Sequence, residues 1–297
     1  MSPKTTLLID ADIVAFRYAS TNQQTFDWGD GITSTVLTEL DIVQEQVREC
    51  LAGYLKVTKA DDLIICLTDS KANWRKSVLP TYKSNRKDTV RPQLLEPLKQ
   101  FMAEEYPSFR KPTLEADDVM GILSTHPKLI EGKKIIVSED KDMKTIPGWL
   151  WNPAKDVEPW LVSEDEADYW HVLQTLMGDT TDGYTGCIGI GKDKANTLIS
   201  NPVLYIPYEH ELKSGKRKGE IEIRYTEEPT DNLWEAVVSL FKYKGQTEED
   251  ALTQGRVARI SRHTDYNFET QETIHWNPPA KYNDHVQHVY TTNQVQP

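Results

Sequence analysis

Leu63-Ile64-Ile65-Cys66-Leu67-Thr68-Asp69 is five apolar residues in a row, then a threonine, then an acid. A half-buried strand alternates apolar and polar residues. An unbroken apolar run this short reads as a strand covered on both faces, as in a parallel sheet. The same form recurs at Leu7-Leu8-Ile9-Asp10 and at Ile135-Ile136-Val137-Ser138-Glu139-Asp140. Between these runs the period changes. Ile42, Val43, Val47, Leu51 and Leu55 repeat close to every 3.6 residues within Leu40–Leu55, and Leu94–Met102 and Leu114–Leu123 also read as helices. Strand–helix–strand alternation predicts an α/β fold with a mainly parallel central sheet and flanking helices. Asp30-Gly31, set between β-prone residues, predicts a hairpin over Thr25–Leu37.

Beyond about residue 170 the character shifts to helical stretches at Trp170–Met177, Asp193–Ile199, Leu233–Phe241 and Glu248–Ile260. Lys213–Gly219 is a basic, glycine-containing stretch that predicts the tip of a hairpin within residues 205–225. The organisation expected is a core at 1–170, a second region at 171–277 and a polar, flexible tail at 278–297. With 38% hydrophobic and 27% charged residues, the 297-residue chain is globular and has no membrane-length apolar run. Its start is not a signal peptide. Cys50, Cys66 and Cys187 are odd in number and lack zinc spacing, which points to a reducing, cytoplasmic setting and to no structural zinc. The net charge of −12 argues against a nucleic-acid partner until its distribution is considered. Seven basic residues (Lys71, Arg75, Lys76, Lys83, Arg86, Lys87, Arg91) and one acid, Asp88, lie between positions 71 and 91. A basic patch on an acidic body is the pattern of a protein that places phosphates locally, with a solvated helix face as the lesser alternative.

Each apolar run ends on acids: Asp10, then Asp69, then Asp140 with Asp142. In a parallel sheet these emerge together at the carboxyl edge, where such folds build their sites. One aspartate there is ordinarily a cap or turn former, but three strands ending this way are harder to explain by capping. Glu115, Asp117 and Asp118 sit in the first turn of a helix that Thr113 is placed to cap, with Glu115 and Asp118 on one face. Asp179 and Asp182 have the same i, i+3 spacing in a Gly-rich turn. Nine carboxylates gathered at one edge repel strongly unless cations offset them. Oxygen donors without His or Cys suit Mg²⁺ or Mn²⁺. Two such ions about 3.5–4 Å apart can serve an in-line phosphoryl displacement.

On these residues the chain resembles the flap endonuclease superfamily of 5′ nucleases, and within it the 5′-to-3′ exonucleases of short-tailed lytic phages. The motifs that carry the resemblance are Leu67-Thr-Asp69-Ser with Asn73-Trp-Arg-Lys76, Tyr82-Lys-Ser-Asn-Arg-Lys87, Leu114-Glu-Ala-Asp-Asp-Val-Met-Gly121, Asp140-Lys-Asp142, Gly178-Asp-Thr-Thr-Asp-Gly-Tyr184 and Leu212-Lys-Ser-Gly-Lys-Arg-Lys-Gly219. It runs from about Leu7 to Pro278. It implies a PIN-like 5′-nuclease fold with a helical gateway, or arch, at about 71–98 and a helix–turn–helix region that grips duplex DNA. It assigns Asp10, Asp69, Glu115, Asp117 and Asp118 to a first metal group, and Asp140, Asp142, Asp179 and Asp182 to a second. It places Lys83 and Arg86 at the scissile phosphate, and Arg75, Lys76 and Lys87 on DNA. Gly186-Cys-Ile-Gly189-Ile-Gly191-Lys192 matches the duplex-gripping loop, which in relatives can hold K⁺. Pro80, Pro92 and Pro97 imply a gateway less regularly helical than in longer-arched relatives. Asp12 matches no ligand of the family.

The expected activity is Mg²⁺-dependent 5′-to-3′ hydrolysis of duplex DNA by two-metal chemistry, with removal of RNA from RNA–DNA hybrids and some flap cutting, in a monomer serving phage DNA replication, recombination and host DNA degradation. Two other classes compete. A PIN-type endoribonuclease shares the acidic sheet edge but is shorter and lacks the Gly186–Gly191 element. A nucleic-acid-binding protein with a decayed site would have lost acids, and here all nine positions are carboxylates.

Overall fold

β1 (Thr5–Asp10) is buried over almost its whole length, with Leu7, Leu8 and Ile9 fully inside, the condition under which a strand needs no polar alternation. The structure, a computed structural model, describes residues 4–86 and 90–279. From β1 the chain runs through α1 (Ala11–Thr21), β2 (Gln23–Asp27), β3 (Thr33–Leu37), α2 (Leu40–Thr58), β4 (Asp62–Cys66), α3 (Arg75–Val78), α4 (Leu95–Glu105), β5 (Ser108–Phe109), α5 (Ala116–Thr125), β6 (Lys133–Val137), β7 (Gly148–Trp151) and β8 (Trp160–Val162). The main sheet has the order β5-β4-β1-β6-β7-β8. Every neighbouring pair is parallel except β7–β8. The three apolar runs are thus adjacent central strands. The chain grows outward from β1 to β4 and β5, then crosses through α5 to β6 on the other side of β1. The direction of growth reverses at β1, and α/β sheets bind ligands at the carboxyl ends of such a switch point.

Local sequence explains most of these elements. The β2–β3 hairpin turns at Gly29, Asp30 and Gly31, all at positive φ. α2 buries Val43, Val47, Leu51 and Tyr54 on one side. α1, by contrast, has no marked apolar stripe: its inner face is Ala11, Ala15 and Ala19 with Val14. These side chains pack with Leu7, Ile9, Leu51, Leu98, Met102 and Ile135 in one core. Within the proline-containing segment 71–98, the described helical structure is α3, a 3-10 turn at Ser84–Arg86 and the start of α4. Pro97 sits in the first turn of α4, where its missing N–H is tolerated. Lys87 lies outside the described residues, as does all of the tail beyond residue 279.

The described residues form two compact units, one of residues 4–77, 86, 90–164 and 260–274, the other of 78–85, 165–259 and 275–279. Both are discontinuous in sequence, unlike a linear cut near residue 170. The second holds α6 (Glu164–Met177, from Asp165), α7 (Lys192–Ser200), the antiparallel pair β9 (Val203–Glu211) and β10 (Ile221–Pro229), α8 (Leu233–Tyr243) and α9 (Glu248–Ala258). Its core joins Leu173, Leu176, Leu198, Leu233, Val237 and Phe241. Residues 260–274 rejoin the first unit, with β11 (Tyr266–Asn267) and β12 (Glu272–Thr273). They lie so close to α5 that a Cβ on Gly121 would collide with the Ser261 carbonyl, which gives the last residue of the Leu114–Gly121 motif a packing reason.

Candidate metal centre

Asp10 ends β1 and caps α1, and it is 2% exposed. Its Oδ1 accepts the Ile13 N–H at 3.2 Å and its Oδ2 accepts the Ser138 hydroxyl at 2.8 Å. Ser138 follows β6, the adjacent strand, and its Oγ also accepts the Asp140 N–H at 3.1 Å. One hydroxyl therefore links the acids of two neighbouring strands. Burial, then the charge of Asp12 and, more weakly, that of Asp140, push the Asp10 carboxyl up to about 7. Asp12 faces the buried Lys99 at 2.8 Å, an ion pair without hydrogen-bond alignment at Oδ1. The Cys66 thiol at the end of β4 is pushed well above its usual value by burial and then by the charges of Asp10, Asp12 and Asp117. Asp117 of α5 is therefore part of the same neighbourhood.

The α5 acids differ from one another despite their spacing. Glu115 is itself the N-cap, in a reciprocal box with Asp118, so Thr113 does not cap this helix; Thr113 stands at φ 66° in the turn before it. Asp118 is fully buried. Its Oδ2 accepts Trp74 Nε1 at 3.0 Å, Arg75 Nη1 at 2.8 Å and the Glu115 N–H at 3.2 Å. Its Oδ1 accepts Arg75 Nη2 at 2.9 Å and the Ser261 N–H at 3.0 Å. With five donors on two oxygens, Asp118 has little capacity left for a metal. Arg75, expected on a DNA surface, is 3% exposed, and its Nη1 also meets Glu115 Oε2 at 2.9 Å. It occupies the place of a buried counter-ion, not of a phosphate contact. Asp69 accepts the N–H groups of Thr113 at 2.9 Å and Lys71 at 3.0 Å, and these bonds lower its pKa. It pins the loop ahead of α5. Asp140 caps the 3-10 turn Lys141–Thr145 and accepts the Asp142 N–H at 2.8 Å.

In the second unit, Asp179 Oδ1 accepts the Thr181 N–H at 2.7 Å, and Asp179 and Tyr184 pair as an isolated antiparallel bridge. The segment 82–85 is stitched onto this turn. The Lys83 N–H donates to the Asp182 carbonyl at 2.8 Å, Tyr82 Oη donates to Asp182 Oδ2 at 2.9 Å, and Asn85 Nδ2 donates to the Thr180 carbonyl at 2.9 Å. Lys83, at φ 53°, puts Nζ 3.6 Å from Asp182 Oδ2. Residues about a hundred positions apart in sequence are thus brought together. Of the remaining expected DNA contacts, Lys76, Arg86, Gly189, Gly191 and Lys192 are exposed. Gly191 is the N-cap of α7 and Lys192 its first residue. Gly186 is buried, its N–H donates to Gln254 Oε1 at 2.8 Å, and a Cβ there would strike Gly178 and Leu176. Its role in the loop is to allow close packing.

A family model described as "5'-3' exonuclease, N-terminal resolvase-like domain" matches residues 5–148. The exonuclease of Escherichia phage T7 is 35% identical over 286 residues, 92% of this chain and 93% of that one. This chain belongs to the phage 5′–3′ exonuclease family. The exodeoxyribonuclease of Enterobacteria phage T3 is 34% identical over 286 residues, 92% of each chain. The flap endonuclease Xni of Shewanella baltica (strain OS223) is 26% identical over 172 residues, 54% of this chain and 66% of that one. Among solved structures, the phage T5 D15 protein co-crystallised with metal ions shares the fold, at TM-score 0.50 and 17% identity over 66% of this chain and 74% of that one.

For this exonuclease, the donor set fits a hard divalent cation. The buried Asp10 carboxyl is repelled by Asp12 and Asp140, and Asp117 shares with Asp10 and Asp12 the neighbourhood of the Cys66 thiol, so carboxylate oxygen donors gather there. Among the described residues, no three His, Cys, Asp or Glu side chains already converge as a ligand set. Sequence reading missed Ser138, the Asp12–Lys99 pair and the Arg75–Asp118 pair. Ser138 had a signal, since it stands between a strand and its acid. The two ion pairs had none, because their partners are distant in sequence. No described helix is long and apolar enough to cross a membrane.

Proposed function

We propose that this nuclease hydrolyses phosphodiesters of duplex DNA from the 5′ end, with two divalent ions, Mg²⁺ or Mn²⁺, held by carboxylates. The observation that carries this reading is Asp10: a carboxyl at the sheet's switch point, buried against two further acids and pushed up to about 7. A fold gains nothing structurally from such repulsion, and a cation relieves it. Asp10, Asp69, Glu115 and Asp117 serve the first ion. Asp140, Asp142, Asp179 and Asp182 serve the second, the last two assigned by sequence resemblance. Bound there, the ions supply Lewis-acid charge to the reacting phosphate and lower the pKa of water. The family reading counts Asp118 among the ligands; with its lone pairs taken, it orients Glu115 through the Glu115 N–H and their shared Arg75.

Lys83 and Arg86 stabilise charge on the scissile phosphate, and the close approach of Lys83 to Asp182 supports this assignment. Lys76, Lys87, Lys192 and the backbone of Gly189 and Gly191 contact duplex phosphates, as an α-helix N-terminus favours. K⁺ binding at the 186–191 loop, cutting of flaps and of RNA in RNA–DNA hybrids, a monomeric state, a host-cytoplasmic setting and a role in phage DNA replication complete the proposal. Duplexes labelled at the 5′ or the 3′ end test it. In Mg²⁺ the 5′ label is released first as mononucleotide, and excess EDTA stops release. Full activity in EDTA, or early loss of the 3′ label, refutes it.

A further inference from the structure

β9 and β10 form a two-stranded ribbon of nine paired positions, from Val203↔Pro229 to Glu211↔Ile221. At about 3.3 Å per residue it is about 30 Å long. Its base is anchored on α8. Tyr205 stacks on Tyr243 with centroids 4.7 Å apart and planes 4° from parallel, and Tyr225 meets the same ring edge-on at 4.7 Å. The Tyr205 N–H also donates to Ser239 Oγ at 2.6 Å. Just past Tyr243, Gln246 accepts the Ile188 N–H at 2.8 Å and donates to the Gly186 carbonyl at 3.2 Å. The base of the ribbon and the 186–191 loop are therefore joined through one short stretch of backbone. The outer half of the ribbon is exposed, with Tyr208, Ile221 and Ile223 open to solvent.

The charges on this ribbon are unevenly placed: acids predominate along the arms, where Arg224 of β10 is paired with Glu222 at 2.6 Å, and cations predominate at the tip. Glu209, Glu211, Glu220, Glu222, Glu227 and Glu228 line its arms and the end of its turn. The tip carries Lys213, Lys216, Arg217 and Lys218, all exposed, with Gly215 and Gly219 at positive φ. Arg217 is paired with Glu220 at 2.6 Å. Lys213, Lys216 and Lys218 form no ion pair among the described residues. With Arg224 taken up by Glu222, the remaining arm glutamates disfavour a phosphate backbone, and these three lysines of the tip favour one.

We infer that this tip is a second contact for the duplex held at the 186–192 loop, the ribbon running along the duplex axis, where its length of about 30 Å spans about nine base pairs at about 3.4 Å per base. The inference rests on the duplex-binding reading above. It makes the ribbon a sensor of duplex length: a long duplex meets both contacts, a short one only the loop.

The test is the triple variant K213A/K216A/K218A, whose changes lie on an exposed tip, checked by circular dichroism for unchanged folding. Binding is measured in Ca²⁺ at several salt concentrations with duplexes of about 8 and about 30 base pairs, and cleavage in Mg²⁺. Three lost phosphate contacts make the slope of log K against log salt shallower by about 2.7 on the long duplex, at about 0.9 per contact. On the short duplex, affinity and cleavage stay at the wild-type level. A variant equal to wild type on both lengths overturns the tip contact, as does an equal loss on both lengths. In either case wild-type cutting of both duplexes leaves the nuclease reading standing, whereas a wild type that cuts neither sinks that reading itself.

Discussion

Replacing Arg75 by Ala removes three charge-assisted hydrogen bonds from two acids at once. Two go to Asp118, at 2.8 and 2.9 Å, and one to Glu115, at 2.9 Å. The Arg75 side chain is 3% exposed and that of Asp118 0%, so water cannot replace the lost donors without local opening. Removing one partner of a buried pair costs about 3–5 kcal/mol, most of it the penalty of the charge left behind. At about 2–4 °C per kcal/mol for a domain of about 150–250 residues, the melting temperature falls by about 6–20 °C. Chemical denaturation of wild type, Arg75→Ala, Asp118→Ala and the double variant gives the coupling energy directly. The double variant should be more stable than the sum of the single losses implies, because it leaves no orphan charge between these two partners. Arg75→Lys should recover only part of the loss, since an ammonium cannot bind both Asp118 oxygens in a fork. Because Glu115 loses its orientation, single-turnover cleavage should slow while the salt slope of duplex binding stays unchanged. A stability loss below about 1 kcal/mol, or a salt slope shallower by about one unit as a lost phosphate contact gives, would refute the buried counter-ion reading.

Three further outcomes are expected. The folded-state pKa of Asp10, about 7, lies above its unfolded value, so its ionised form destabilises the metal-free fold and that cost grows as pH rises from about 4 to about 7. Asp10→Asn should therefore raise metal-free stability at pH 8, by up to about 4 kcal/mol at about 1.36 kcal/mol per unit, while abolishing cutting. In wild type, Mg²⁺ affinity should climb as pH rises to about 7 and then level off, and a flat calorimetric titration across that range would contradict it. Asp182→Asn should abolish cleavage yet keep duplex binding, and near-normal turnover would remove Asp182 from the second metal group. Lys83→Ala should lower the single-turnover rate at saturating enzyme by about 10²-fold or more, whereas Lys192→Ala should mainly weaken binding and flatten its salt slope by about one unit. A normal saturated rate in Lys83→Ala would make the gateway segment a docking surface only.

The strands at Leu7–Ile9, Leu63–Leu67 and Ile135–Val137 were legible because burial on both faces leaves a continuous apolar run, a signal contained in a few consecutive residues. The acids that end those strands were legible for the same reason, and the longer helices showed through their 3.6-residue period. α1 was not legible, since alanines at positions 11, 15 and 19 bury a face without marking it. β7 and β8, Gly148–Trp151 and Trp160–Val162, were too short to show a pattern. The larger gap concerns which acid does what. By spacing, Glu115 and Asp118 are equivalent neighbours on one helix face. Only tertiary packing brings Trp74, Arg75 and the Ser261 N–H onto Asp118 and fills its lone pairs. Likewise Arg75 counted as one cation of a basic run until the fold buried it, while Lys83, eight residues on, was carried to Asp182. Period and charge are properties of neighbouring residues and can be read from the chain. Which oxygen keeps a free lone pair depends on donors from distant segments, and that choice is made only when the chain folds.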